Sequence, residues 1–202
     1  MLTWNTLDKD ETAKVIKAVK DSGEPSLFSP GTSEGRCTKL PFYRNYLLYR
    51  ITNYASLPAF SFDYLGFGKR FFYLDGTFEP LFGLNKSDNF VLNKETLTDY
   101  VEFYFHHVRN DDGEIRILRS LHDHAGLDSL PPAEFYDLEG HNWTPVATQD
   151  NDSGLFHLSA VLDNSGTLVK ADIEIDDAGR ITIKDQKLLS SLSSDQATGT
   201  NA

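Results

Sequence analysis

Four of the six histidines fall between His106 and His124, and imidazole is the side chain best suited to hold a metal ion or move a proton near neutral pH. His122 and His124 flank Asp123. An H-x-H pair on an extended segment points both rings to one side, and a nearby carboxylate can complete three ligands with an open position, as a catalytic zinc requires. The pattern predicts a divalent-metal site at His122, Asp123 and His124, and with it a metal-dependent hydrolase as one reading of the chain. The competing reading is structural. His106 and His107 are adjacent, so on a helix they point about 100° apart, and a cation at a helix C-terminus is stabilised by the macrodipole without any ligand. The spacing also lacks the strength of H-E-x-x-H.

Two further groups have the residue types for chemistry without the full pattern. Cys37 follows Gly35-Arg36, where a guanidinium could lower a thiol pKa, but no partner base is identifiable beside this single cysteine. Asp150-Asn151-Asp152-Ser153-Gly154 begins like a calcium loop, yet Val161 stands where the twelfth-position glutamate is needed. The segment therefore predicts a turn.

The densest signal is aromatic: nineteen of the twenty-five Phe, Tyr and Trp residues lie between Phe42 and Phe105. Such a cluster is either buried or lines a binding surface. Tyrosines add hydroxyls to apolar walls, and a ligand site needs apolar walls with a few converging polar groups. Tyr43, Arg44, Tyr46, Arg50, Tyr64 and Arg70 are the residues this pattern nominates for a ligand site. Arginines interleaved with aromatics also serve stacked bases, but no RNP-like motif is present, and nucleic acid is not expected.

Phe71-Phe72-Tyr73-Leu74-Asp75-Gly76-Thr77-Phe78 resembles the first motif of the haloacid-dehalogenase phosphatases, an apolar strand followed by Asp-x-Asp-Gly-Thr. The resemblance covers eight residues. Tyr73 stands where the nucleophilic aspartate belongs, and a phenol cannot form the aspartyl-phosphate or help hold magnesium. Asp75-Gly76 is expected instead to be a hairpin turn. Gly31–Gly35 lacks the Gly-Lys-Ser/Thr of a phosphate loop, and Gly66-Phe67-Gly68 lacks the third glycine and following helix of a dinucleotide site.

The elements that must position these residues follow from local pattern. Asp8 and Glu11 form a capping-box signature ahead of Val15, Ile16 and Val19, predicting a helix over 8–21. Residues 21–39 are rich in Gly, Ser, Pro and Thr and predict a mobile loop. Strands are expected at 42–51, 59–65, 69–75 and 79–84. Asn93 can cap a helix running to about residue 109, with Leu97, Tyr100, Val101, Tyr104 and Val108 on one stripe. Phe103 and Phe105 lie off that stripe, so the helix is expected to be covered on more than one side. A strand at 114–119, a short helix begun by Pro131-Pro132, and a meander over 155–162, 167–175 and 180–184 complete the order. The class is α+β: a large curved antiparallel sheet packed on a central helix at 94–109, ending in a three-strand meander. The length suits a single domain over residues 1–189, and residues 190–202 have the composition of a disordered polar tail.

Charge narrows the partners. The chain carries a net −11, with +3 in residues 1–70 and −14 in residues 71–202, so the acidic part repels nucleic acid and anionic membrane. One cysteine excludes an intrachain disulfide, no stretch approaches the roughly 20 apolar residues that span a bilayer, and the first residues lack the pattern of a secretory signal. The expectation is a cytoplasmic, non-catalytic domain that binds a small ligand or a protein, with a homodimer compatible. That reading needs no cofactor; the hydrolase alternative needs the divalent metal.

Overall fold

The computed structural model describes residues 3–110, 113–124, 127 and 131–191. The fold is α+β, with antiparallel strands divided between two five-stranded sheets. The chain forms two compact units that divide between Thr96 and Leu97.

In the first unit, strands β1 (Asn5–Thr6), β2 (Ser33–Lys39), β3 (Leu47–Asn53), β4 (Phe60–Phe67) and β5 (Arg70–Tyr73) lie side by side in sequence order. Helix α1 (Lys9–Asp21) begins as expected: Asp8 accepts from Glu11 N, and the Glu11 side chain accepts from Asp8 N, closing the capping box. Its apolar stripe buries Ile16 and Val19 against Phe28, Ile51, Tyr64 and Phe71. The register places Tyr49 opposite Tyr64 and Tyr64 opposite Tyr73, so these rings share the face toward α1. Leu48, Leu65 and Phe72, the alternate residues, point the other way. At Gly66 a side chain has no room: an added Cβ would sit 2.4 Å from the Phe71 ring.

Four expectations for this unit are corrected. Residues 33–39, read as part of a mobile loop, form β2. Seven consecutive pairs with β3 supply what local propensity does not, and Thr38 is buried. Residues 42–46 precede the strand rather than belonging to it; Tyr43 forms an isolated bridge with Phe90. Residues 79–84, read as a strand, lie in helix α2 (Glu79–Asn85). Pro80 stands in the first turn, where its missing N–H costs nothing, and Leu81 and Leu84 are buried at helical spacing. Asp75-Gly76 accordingly leads into a helix, not a hairpin: the Asp75 carboxylate accepts from the amide and hydroxyl of Thr77.

The division between units falls in the first turn of helix α3 (Lys94–His107). Asn93 caps it, accepting from Thr96 N at 2.9 Å. Leu97, Tyr100 and Val101 are buried as expected, but Phe103 is buried while Tyr104 and Val108 are only half-buried. The Tyr100 hydroxyl donates to Gly179 O at 2.6 Å. Strand β6 (Ile115–Leu118), a 3-10 turn (Leu121–Asp123), α4 (Pro132–Glu139), β7 (Val146–Gln149), β8 (Phe156–Asn164), β9 (Thr167–Ile175) and β10 (Ile181–Ser191) follow.

Strands β8, β9 and β10 form the expected meander. The far edge of β8 is shared end to end, by β7 at Phe156–Ser159 and by β6 at Val161–Asn164. Along β9, Val169, Ala171, Ile173 and Ile175 are buried, while Lys170 and Asp172 are exposed. At the β6 end both faces are used, because Leu118, Val161 and Leu168 pack with Leu121, Leu138 and Trp143. Strand β10 runs past the expected end at residue 184 through register shifts between Ile183 and Asp185 and between Leu188 and Ser190. Ser190 and Ser191 thus belong to the sheet, and the rest of the expected tail, 192–202, lies outside the described residues.

Candidate functional site

The six residues nominated as a ligand site take separate places in the first unit. Tyr43 is buried against Phe42, Tyr46 and Phe90, and its hydroxyl donates to Asn85 Oδ1 at 2.5 Å. Burial pushes its pKa far above the ordinary phenol value, with the neighbouring Tyr46 adding to the effect. Tyr46 is buried too and packs on Phe67 and Phe72, on the face turned away from α1. Tyr64 lies on the α1 face, touching Phe28 and Tyr73, and donates to Pro25 O at 2.7 Å. Burial raises its pKa as well. Arg44 and Arg70 are exposed. Arg50 grips Asp63 across the β3–β4 pairing with two 2.7 Å hydrogen bonds and lies 5.3 Å from the centre of the Trp4 ring. Tyr43 and Tyr64 thus serve as core residues with satisfied hydroxyls, and the sheet stands between Tyr46 and Tyr64.

His122, Asp123 and His124 lie in and just after the 3-10 turn rather than on an extended segment. His122 and Asp123 are exposed, while His124 is buried. Asp123 Oδ2 accepts from the amides of Arg119 and Ser120, so its carboxylate closes the start of the turn. The structure brings His124 to Asp163 instead, with Nδ1 3.2 Å from Oδ2 and both side chains almost fully enclosed. At the end of the long helix, His107 Nδ1 lies 2.9 Å from Phe103 O, and its ring stacks on Phe103.

Asp163 is the organising residue that sequence reasoning missed. It reads locally as the first residue of a turn, and its carboxylate does accept from Gly166 N at 2.8 Å. It also lies two residues after Val161, on the face that carries the Leu118–Leu168 cluster, where a carboxylate needs partners. Arg116, directly opposite on β6, donates at 2.9 Å, and His124 approaches from the turn. Burial pushes the Asp163 carboxyl upward, but the Gly166 amide, the His124 hydrogen bond and the charges of His124 and Arg116 outweigh it and hold the group below the usual carboxylate range. The other ring nitrogen, His124 Nε2, is buried and has no hydrogen-bond partner among the described residues. A carboxylate-backed imidazole has the form of a base or a metal ligand. Both side chains are nearly fully enclosed, His124 at 1% exposure and Asp163 at 3%.

Cys37 and the acidic turn resolve more simply. Burial, and then the nearby Glu11, push the Cys37 thiol pKa up, which disfavours the reactive thiolate. Asp150 turns its oxygens inward, accepting from Asp152 N and Ser153 Oγ, which is how a tight turn closes.

Comparison with protein families, with curated proteins and with solved structures returns no match for this chain. Among the described residues, no helix is long and apolar enough to cross a membrane.

Proposed function

We propose that this chain is a non-catalytic, cytoplasmic binding domain whose partner is another protein, engaged at one end of the first unit's sheet. One observation carries the reading: Leu57 is 100% exposed, Leu27 67% and Tyr54 55%, on two connections that are tied together. Asn53 Nδ2 donates to Leu27 O, and Tyr54 N donates to Thr32 O. Large apolar side chains held in solvent by an ordered backbone mark interaction surfaces. Burying one of them in an interface contributes about 1.5–3 kcal/mol. The small-ligand form of the reading draws less support, because the nominated tyrosines are enclosed and the hydroxyls of Tyr43 and Tyr64 are occupied. The hydrolase alternative draws less support as well, since His122 and His124 occupy different environments and Asp123 is engaged by backbone amides.

A photo-crosslinking residue at position 57, compared with one at Tyr136, tests the proposal; Tyr136 is 70% exposed in the second unit. A discrete crosslinked species should form from position 57 alone. Reconstituted from purified components, that complex should weaken at least about tenfold on Leu57→Asp, the loss of one buried anchor. Equal crosslinking from both positions, or a reconstituted complex indifferent to Leu57→Asp, refutes it.

A further inference from the structure

The first unit's sheet has another exposed end, where β2 finishes, β3 begins and β4 turns into β5. The pairing of Lys39 with Leu47, and of Leu47 with Gly66, brings these strand ends together. Lys39, Arg44, Lys69 and Arg70 are all exposed there, and none of them forms an ion pair among the described residues. Residues 39–49 and 64–74, which build this end, contain no Asp or Glu. Phe67 stands among the cations, 50% exposed and directly opposite Arg70 in the β4–β5 pairing. Its ring packs on Tyr46, two residues after Arg44. The backbone beneath is fixed: Ser22 Oγ donates to Lys69 O and accepts from Phe71 N, and Arg44 N donates to Asn89 O.

We infer that this end docks an acidic segment of another protein, in which Asp or Glu flank a large apolar residue that covers Phe67. Charge selects the sign of the partner. Residues 1–70 carry a net +3, and screening over about 8 Å at physiological salt leaves the contact to the nearest charges. Against the four cations and the neighbouring Lys20 stand Glu24, which is half-buried, and Asp88, while Asp21 is taken up by Lys17. Geometry selects the class. The foremost residues of the β4–β5 hairpin are Gly68 and Lys69, so a bilayer would meet an ammonium ahead of Phe67. Stacked bases need successive exposed rings, and Tyr46 is only 5% exposed, which leaves Phe67 alone here. The whole chain, at −11, also opposes an extended polyanion or a second copy more strongly than a short acidic segment. An apolar contact at Phe67 with charged residues around it matches the general anatomy of interfaces, apolar at the centre and polar at the rim.

The test pans a displayed library of random peptides against the immobilised full chain, with the double variant Lys69→Glu/Arg70→Glu as counter-selection. Both side chains are exposed, so the variant should melt with the parent; if it does not, Arg44→Glu takes its place. Peptides kept by the parent and lost by the variant should be enriched in Asp and Glu beside a large apolar residue. A selected acidic peptide should weaken at least about tenfold on the double variant and several-fold on Phe67→Ser, and more at low salt than at high salt. The absence of any peptide that depends on these cations, or dependent peptides without acidic enrichment, overturns the inference. Binding to phosphatidylcholine–phosphatidylserine vesicles or to a single-stranded oligonucleotide that the double variant abolishes overturns it in favour of a lipid or a nucleic acid. Self-association in sedimentation analysis that the double variant abolishes overturns it in favour of a second copy. The apolar surface at Leu57 is judged separately by the position-57 crosslink, so either reading can fail alone.

Discussion

Replacing Asp163 by Ala should destabilise the second unit by about 3 kcal/mol, near the lower end of what removing one partner of a buried ion pair costs. Three groups lose their acceptor together: the Gly166 amide, the Arg116 guanidinium and His124 Nδ1. Their losses are not equal. The Arg116 side chain is 47% exposed and can return to water, whereas His124 is 1% exposed and its Nε2 has no partner among the described residues. Asp163→Asn keeps the shape and one acceptor oxygen, so it should cost less, about 1.5–2 kcal/mol. Trp143 packs in the cluster beside this site and reports on it, provided Trp4→Phe removes the chain's other tryptophan. In urea, with a slope of about 1–3 kcal/mol per molar, Asp163→Ala should move the Trp143 midpoint down by about 1–3 M. The pH dependence has a defined sign. Because the folded carboxyl is held below its unfolded value of about 3.9, its contribution is present above that pH and is lost as pH falls through the folded pKa. The Trp143 transition of the parent should therefore weaken steeply below about pH 4, and Asp163→Asn should flatten that part of the profile. A midpoint shift under about 0.3 M for Asp163→Ala, or an acid profile unchanged in Asp163→Asn, would show that the carboxylate does not hold this corner together.

Val101→Asp places a charge at a side chain with no solvent exposure and should cost several kcal/mol, about 3 or more, seen as insoluble expression or a melting temperature far below the parent; an unchanged melting temperature would contradict the buried face of α3. Gly66→Ala drives a methyl against the Phe71 ring, 2.4 Å away, and overpacking of this kind costs about 1–3 kcal/mol. The Trp4 emission of a Trp143→Phe background should report that loss in chemical denaturation, and a stability within error of the parent would contradict the close contact.

What could be read from the sequence divides by the range of the interactions involved. Helices α1 and α3 were legible because their starts are set by neighbours: Asp8 with Glu11, and Asn93 with Thr96. Strand β2 was not, because Glu34, Gly35 and Lys39 have little strand propensity of their own and are held by pairing with β3. Helix α2 was hidden by its length. Seven residues with Pro80 near the front show too little periodicity to separate helix from strand, and only the joint burial of Leu81 and Leu84 reveals the period. The meander was legible because β9 alternates cleanly and its turns end in Gly166 and Gly179, both at positive φ.

The candidate sites fail or survive for the same reason. A count of tyrosines cannot distinguish a pocket from a core; the segment from Pro25 to Phe28 makes that decision by closing over Tyr64. His122 and His124 were paired on the assumption of strand geometry, in which residues two apart share a side. A 3-10 turn with three residues per turn removes that assumption. One imidazole is left in water and the other is delivered to a carboxylate 39 residues away. The remaining local signal was the position of Asp163 itself: a carboxylate two residues along a strand from a core valine must recruit cations or donors from elsewhere in the chain. Arg116 is fixed opposite it by β6 pairing, and His124 follows within six residues of that strand's end. The polar centre of the second unit is therefore a consequence of strand register, and the histidine most suited to chemistry is spent on satisfying it.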